Sequence, residues 1–254
     1  MTTHVLGDTA VLTDRSLRHI LRSPDTIITT AITPVALMLL FTYVFGGAIN
    51  TGSDESYVSY MLPGILLITI ASGIAYTSYR LFLDMQGGIF ERFQSMPIAR
   101  SSVLWAHVLT SLAANLASVA IVIGVALIMG FRTSASLAAW ATVAGILILF
   151  TLALTWIAVI AGLSAKTVDG ASAFSYPLIF LPFISSAFVP TDTMPAPVAW
   201  FAEHQPVTAI VDTLRALFAG TPVGNDIWIA LAWLVAILIG GYTCALAIYR
   251  RKIS

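Results

Sequence analysis

The chain has 254 residues, of which 58% are hydrophobic and only 9% charged, with a mean hydropathy of +0.92 and a formal net charge of zero. A soluble domain carries about 25% charged residues, so this composition excludes one and points to an integral membrane protein that crosses the bilayer several times. The single cysteine, Cys244, lies in the last apolar run, has no partner for an intramolecular disulfide, and reads as a small packing residue.

Residues 1–25 are polar and lack the basic start, apolar core and small-residue cleavage site of a signal peptide. Within them Val11–Arg22 predicts an amphipathic helix, with Arg15, Arg18 and Arg22 on one face and Leu17, Ile20 and Leu21 on another. Such a helix is expected at the interface with its arginines towards anionic headgroups, a solvated helix being the plainer alternative. A bilayer core about 30 Å thick needs roughly 20 helical residues, and six runs approach or exceed that length: Thr26–Gly46, Tyr60–Tyr79, Val103–Met129, Leu137–Leu163, Ala171–Val189 and Ile227–Tyr249. Lipid-facing backbone must satisfy its own hydrogen bonds, so the expected fold is an all-α bundle of six spans. Gly64, Ala71 and Gly73 on the second run permit close helix contact.

Orientation follows from lysine and arginine. With six spans both termini share a side, and that side takes Arg15, Arg18, Arg22, Arg80, Arg92, Arg100, Lys166, Arg250, Arg251 and Lys252, leaving Arg132 and Arg215 opposite. The positive-inside rule makes the termini and the 80–102 loop cytoplasmic.

Within that loop Ile89, Phe93 and Met96 share one face of a short helix, interleaved with Glu91, Arg92, Gln94 and Arg100, and Pro97 ends or kinks it. A helix of this kind lies along the bilayer or inserts into a partner's groove; a solvated turn with an interfacial helix is the plainer alternative. The fifth run, Phe174–Phe183, holds Pro177 and Pro182 five apart among Tyr176, Phe180 and Phe183, with Ser185-Ser186 beyond. A bent, aromatic, hydroxyl-bearing helix suits a pathway for a large amphiphile, although most membrane aromatics serve packing. On the external side, 190–226 is long, mixed and rich in proline. Thr208–Phe218 predicts a short helix with Gly220 as its C-cap. Two short helices broken at His204–Pro206 fit re-entrant segments dipping into the outer leaflet; a small folded external cap is the alternative.

The chemistry is defined largely by exclusion. Lys166-Thr167 is preceded by Ala165 where a phosphate-binding loop requires glycine, so no nucleotide site of that kind is expected on this chain. His4, His19, His107 and His204 are scattered without metal-ligand spacing, and neither a metal site nor a catalytic site is expected. No acidic residue falls near the centre of a predicted span, which argues against ion coupling.

The stretch Arg92-Phe93-Gln94-Ser95-Met96-Pro97-Ile98-Ala99-Arg100 resembles the cytoplasmic coupling loop of ABC-2 type exporter permeases, within that family the daunorubicin/doxorubicin-resistance branch. A second block, Gln205-Pro206 followed by Leu214-Arg215-Ala216-Leu217-Phe218-Ala219-Gly220, is similar to the family's signature before its last span, many members carrying Asn-Pro where this chain has Gln205-Pro206. The resemblance extends from about Asp14 to Lys252. It implies a bacterial plasma-membrane permease whose Ile89, Phe90, Glu91, Arg92, Phe93, Met96 and Pro97 dock on a separate ATP-binding cassette subunit that holds ATP and Mg. It further implies re-entrant helices in 190–226 and export of amphiphilic small molecules. A second permease copy and surrounding lipid are expected partners, and nucleic acid is not. Export of lipid-linked glycan is the alternative within the family. An ion-coupled secondary transporter or a structural scaffold is the alternative outside it.

Overall fold

The structure, a computed structural model, describes residues 25–46, 56–87 and 100–253. Among them there is no strand. Helix α1 spans Asp25–Leu40 and continues as a π-helical turn over Phe41–Phe45; α2 is Tyr57–Gln86, α3 Arg100–Ile128 and α4 Leu137–Ser164. Two short helices follow, α5 (Val168–Ala173) and α6 (Ser175–Phe180), the latter running into a 3-10 turn over Leu181–Ile184. The chain ends with α7 (Ala196–His204), α8 (Pro206–Ala219) and α9 (Asp226–Ile253).

Four of these, α2, α3, α4 and α9, are long and apolar enough to cross a bilayer. The first expected run forms helix from Asp25 to Phe45, but its described apolar part, Thr30–Phe45, falls below that length. The fifth differs from the single bent helix expected over Ala171–Val189. It is broken into α5, α6 and the 3-10 turn, and Ser185 is extended. Pro177 and Pro182 lack the N–H that a continuous helix needs, which is the local reason for the breaks. The expected amphipathic helix Val11–Arg22 lies outside the described residues. Helix α2 is longer than the run Tyr60–Tyr79, because Arg80 stays helical with its guanidinium 5.7 Å from the centre of the Tyr76 ring. With α3 starting at Arg100, helix thus occupies both ends of the 80–102 segment.

Helix α2 is the post of the bundle. Every residue from Tyr60 to Ala71 is buried, and α1, α3, α4, α5, α6 and α8 all pack on it. By contrast, only 22% of the apolar window of α9 is buried within the protein, leaving the rest to lipid. Packing this tight depends on missing side chains: a Cβ on Gly64 would lie 2.5 Å from Ala187 Cβ, and one on Gly162 of α4 only 2.8 Å from the Ser78 carbonyl oxygen of α2. A flexible side chain can move aside, but the backbone of α2 cannot. Gly162→Ala is therefore expected to push α4 off α2 and cost about 1–3 kcal/mol. At Gly145, where nothing lies within 4 Å, the same change should be neutral or mildly stabilising through helix propensity. Unfolding both variants in mixed micelles checks the contrast.

Hydroxyls and one amide cross-link the centre. Thr77 of α2 donates to Ser111 of α3 at 2.7 Å, Ser111 lies 3.4 Å from Thr155 of α4, and Asn115 Nδ2 donates to the Ser111 carbonyl at 2.9 Å. Gly73 leaves the room for Asn115, since a Cβ there would overlap its Oδ1. Beside this cluster, Trp156 meets Trp105 of α3 and Tyr242 of α9 edge-to-face, with centroids 5.3 and 4.8 Å apart. Aromatic contact thus joins three helices where few polar bonds are available.

Candidate functional site

Helix α8 carries a charged site at the end of the bundle where α2 begins. Pro206 fits its first turn, where the missing N–H costs nothing. At the other end Gly220 adopts φ +69°, with Gly220 N–H donating to Leu217 O and Thr221 N–H to Ala216 O. This is a Schellman cap, as the sequence predicted for Gly220. Val207, Ile210, Val211, Leu214, Leu217 and Phe218 are buried, so α8 inserts an apolar face among α2, α4 and α9. The break between α7 and α8 falls at His204–Pro206, as expected.

Arg215 is the centre of this site. Its Nη1 donates to Asp212 Oδ1 at 2.7 Å, one helical turn away on α8. Nη2 donates to the Ser186 carbonyl at 2.7 Å, and Nε and Nη2 both reach the Tyr60 carbonyl on α2, at 3.3 and 3.2 Å. The guanidinium also lies 3.9 Å from the centre of the Tyr60 ring, a cation–π contact. The Ser186 hydroxyl donates to the same Asp212 oxygen at 2.7 Å. Burial raises the Asp212 carboxyl above the usual carboxylate range, against the pull of the Ser186 hydroxyl and the Arg215 guanidinium. One arginine thus fastens α8, α2 and the turn that follows the 3-10 segment of the fifth run.

Gln205 performs the matching task at the N-terminal end of α8. Its Nε2 donates to the carbonyls of Ile184 and Leu181 at 2.7 and 3.4 Å, groups freed where the 3-10 turn ends. Ser186 N–H donates to Thr208 at 3.4 Å, and the Ser185 hydroxyl to the Pro182 carbonyl at 2.6 Å. A broken helix inside a membrane is tolerated when its orphaned backbone finds such partners. Gln205 and Pro206 at the start, Arg215 within and Gly220 at the end of α8 thus lie along one helix, each with a distinct backbone task.

The aromatic residues divide. Phe183 stacks on Phe188 at 4.8 Å and Phe188 on Phe41 of the π turn at 4.9 Å, while Phe180 and Phe183 lie 6.2 Å apart. Phe180 and Phe183 are thus brought together, with Phe41 and Phe188 as neighbours that the sequence reading did not single out. Tyr176 stands apart from that stack, and both it and Phe180 are 61% exposed on the outer surface of the bundle.

The residues Ile89, Phe90, Glu91, Arg92, Phe93, Met96 and Pro97 lie outside the described residues. What flanks them is described. Asp84 near the end of α2 and His107 near the start of α3 pair at 3.1 Å, Oδ2 to Nε2, tying together the two helices from which that segment springs. Lys166-Thr167 has an ordinary local role, for the Thr167 hydroxyl accepts the Gly170 N–H at 3.1 Å and caps α5. Among the described residues no three of His, Cys, Asp and Glu gather into a metal-binding group. Sequence reasoning missed Tyr60, Ser186 and Asp212 as partners of Arg215. The three-residue spacing of Asp212 and Arg215 on one helix was the available signal.

The family model described as "ABC-2 type transporter" matches residues 8–219. The chain is 27% identical over 233 residues to the "Daunorubicin resistance ABC transporter permease protein DrrB1" of Streptomyces coeruleorubidus, covering 90% of this chain and 81% of that protein. It is 24% identical over 252 residues to the "Probable doxorubicin resistance ABC transporter permease protein DrrC" of Mycobacterium tuberculosis, covering 97% of this chain and 89% of that protein.

Proposed function

We propose, from the premise that this chain belongs to the ABC-2 type transporter family, that it is the permease subunit of an ATP-driven exporter of amphiphilic small molecules. The observation that carries the reading is the near full-length similarity to two drug-resistance permeases. ATP and Mg belong to a separate ATP-binding cassette subunit, a division supported by the missing glycine before Lys166-Thr167. Residues Ile89–Pro97 are the docking segment for that subunit. Both termini face the cytoplasm of a bacterial cell, supported by the excess of lysine and arginine on that side.

In this reading α1 with its π turn, about 30 Å long at 1.5 Å per residue, and the broken segment α5–α6 complete six crossings. The α7–α8 pair re-enters the outer leaflet. Two copies form the pathway, because one permease with one docking segment supplies half of what a pair of ATPase subunits needs. Closure of the ATPase pair on ATP moves both docking segments and rocks the bundles from inward- to outward-open.

The substrate path runs along Tyr176, Phe180 and Phe183. Its support is an aromatic face left exposed beside a helix whose breaks allow movement. Apolar burial at about 25 cal/mol per Å² supplies the affinity, and few polar contacts confer selectivity, so related amphiphiles are poorly discriminated. Phe180→Ala and Phe183→Ala should each change export of one compound several-fold more than another at equal expression. A resistance profile over unrelated amphiphiles measures this. An equal fall for every compound would place the path elsewhere.

A further inference from the structure

The turn between α3 and α4 builds a second feature beside Arg215. Gly130 at φ +101° ends α3, with Gly130 N–H on Leu127 O and Phe131 N–H on Ala126 O, a Schellman cap that only a residue tolerant of positive φ makes cheaply. The turn sends Phe131 into the core, where it meets Phe218 edge-to-face at 5.3 Å, and leaves Arg132 exposed. Thr133 and Ser134 then stitch it to the end of α8 through the Phe218 carbonyl. Between this turn, the first turn of α2 and the end of α8 lies a cavity of about 310 Å³.

Its lining includes Arg132, Arg215, Ser56 and Ser59, with the almost fully buried Phe131 and Phe218 beneath, and among the described residues no carboxylate lines it. Ser56 and Ser59 hold their hydroxyls 2.9 Å apart. Arg215 is fixed by its bonds to Tyr60, Ser186 and Asp212, with one Nη1 hydrogen lacking an acceptor among the described residues. Arg132 is steadied through Nη1, on the carbonyls of Leu127 and Phe131 at 3.1 and 2.8 Å, and its Nε and Nη2 have no acceptor among the described residues. Asp212 offsets the charge of Arg215, so among the described residues Arg132 supplies the uncompensated positive charge of the lining. Ser56 and Ser59 lie at the very start of a span, a level at which a bilayer carries its headgroups.

We propose that this cavity binds the anionic headgroup of an amphiphile, a phosphodiester or a carboxylate. Two fixed guanidinium groups with hydroxyl donors recognise such an anion by charge-assisted hydrogen bonds. This site does not depend on what the protein transports, and it is tested on the isolated chain.

The test uses the purified full chain in non-ionic detergent, titrated with dioleoyl phosphatidylglycerol, with dioleoyl phosphatidylcholine and with inorganic phosphate. Binding is counted by native mass spectrometry and by the shift in thermal midpoint. One phosphatidylglycerol per chain is expected at about tenfold lower concentration than phosphatidylcholine. Arg132→Gln, at an exposed position, should abolish that preference. So should Ser59→Leu, which fills the cavity without changing charge, while both variants keep the unliganded midpoint. Displacement of the lipid by inorganic phosphate would assign the site to the anion alone, and failure to displace it would assign it to the tailed amphiphile. Equal binding of the two lipids, or a preference that survives both substitutions, overturns the proposal.

Discussion

Arg215→Met is expected to lower the folding stability by about 2–4 kcal/mol, among the largest losses available from a single side chain in this protein. Methionine keeps the apolar stem but removes the Arg215 donor from the Ser186 carbonyl, the second donor from the helical Tyr60 carbonyl, and the cation from Asp212. The ion pair itself carries the smaller share, because the Asp212 side chain is one third exposed and solvent screens it. The lost hydrogen bonds to the Ser186 and Tyr60 carbonyls and the lost contact with the Tyr60 ring carry the larger. Arg215→Lys should recover less than half of the loss, since an ammonium keeps the charge but cannot fork to three acceptors. Adding Asp212→Asn to Arg215→Met should recover a further part by removing the uncompensated carboxylate. Equilibrium unfolding in mixed micelles measures all three. Midpoints unchanged from wild type would mean that the arginine does not fasten α8 to α2.

The local features of this region were legible in the sequence because they depend on single residues. Gly220 caps α8 by its own conformational freedom, Pro206 starts the helix by its missing N–H, and His204–Pro206 marks the break. The partners of Arg215 were not legible, apart from Asp212. Ser186 lies 29 residues away and Tyr60 155, and no local pattern encodes that meeting. The fifth run misled for a related reason. Its apolar length suggested one helix, whereas Pro177, Pro182 and the side chain of Gln205 together make a broken one possible. Composition also hid the polar centre of the bundle. Ser111, Asn115 and Ser118 follow helical spacing on α3 and are buried, but isolated hydroxyls in an apolar run read as neutral until Thr77 and Thr155 are seen opposite them.

Coupling is where the largest functional effect is expected. Glu91→Ala and Phe93→Ala alter a short amphipathic segment between α2 and α3, whose helices are joined by the Asp84–His107 pair. Truncating an aromatic anchor in a groove costs about 1–2 kcal/mol or more, so binding of the ATP-binding cassette subunit should weaken about tenfold. Stimulation of ATP hydrolysis should fall in step, while membrane insertion and folding stability stay at wild-type values. Full stimulation in both variants would remove the segment from the docking surface.

The central claim, ATP-driven export through this permease, is tested most directly in inside-out vesicles that contain the chain together with an ATP-binding cassette subunit. A fluorescent amphiphilic drug is added outside and its accumulation followed. The expected result is accumulation that requires hydrolysable ATP and both subunits, and that persists when proton and sodium gradients are collapsed. Accumulation driven by either gradient without the second subunit would contradict the account.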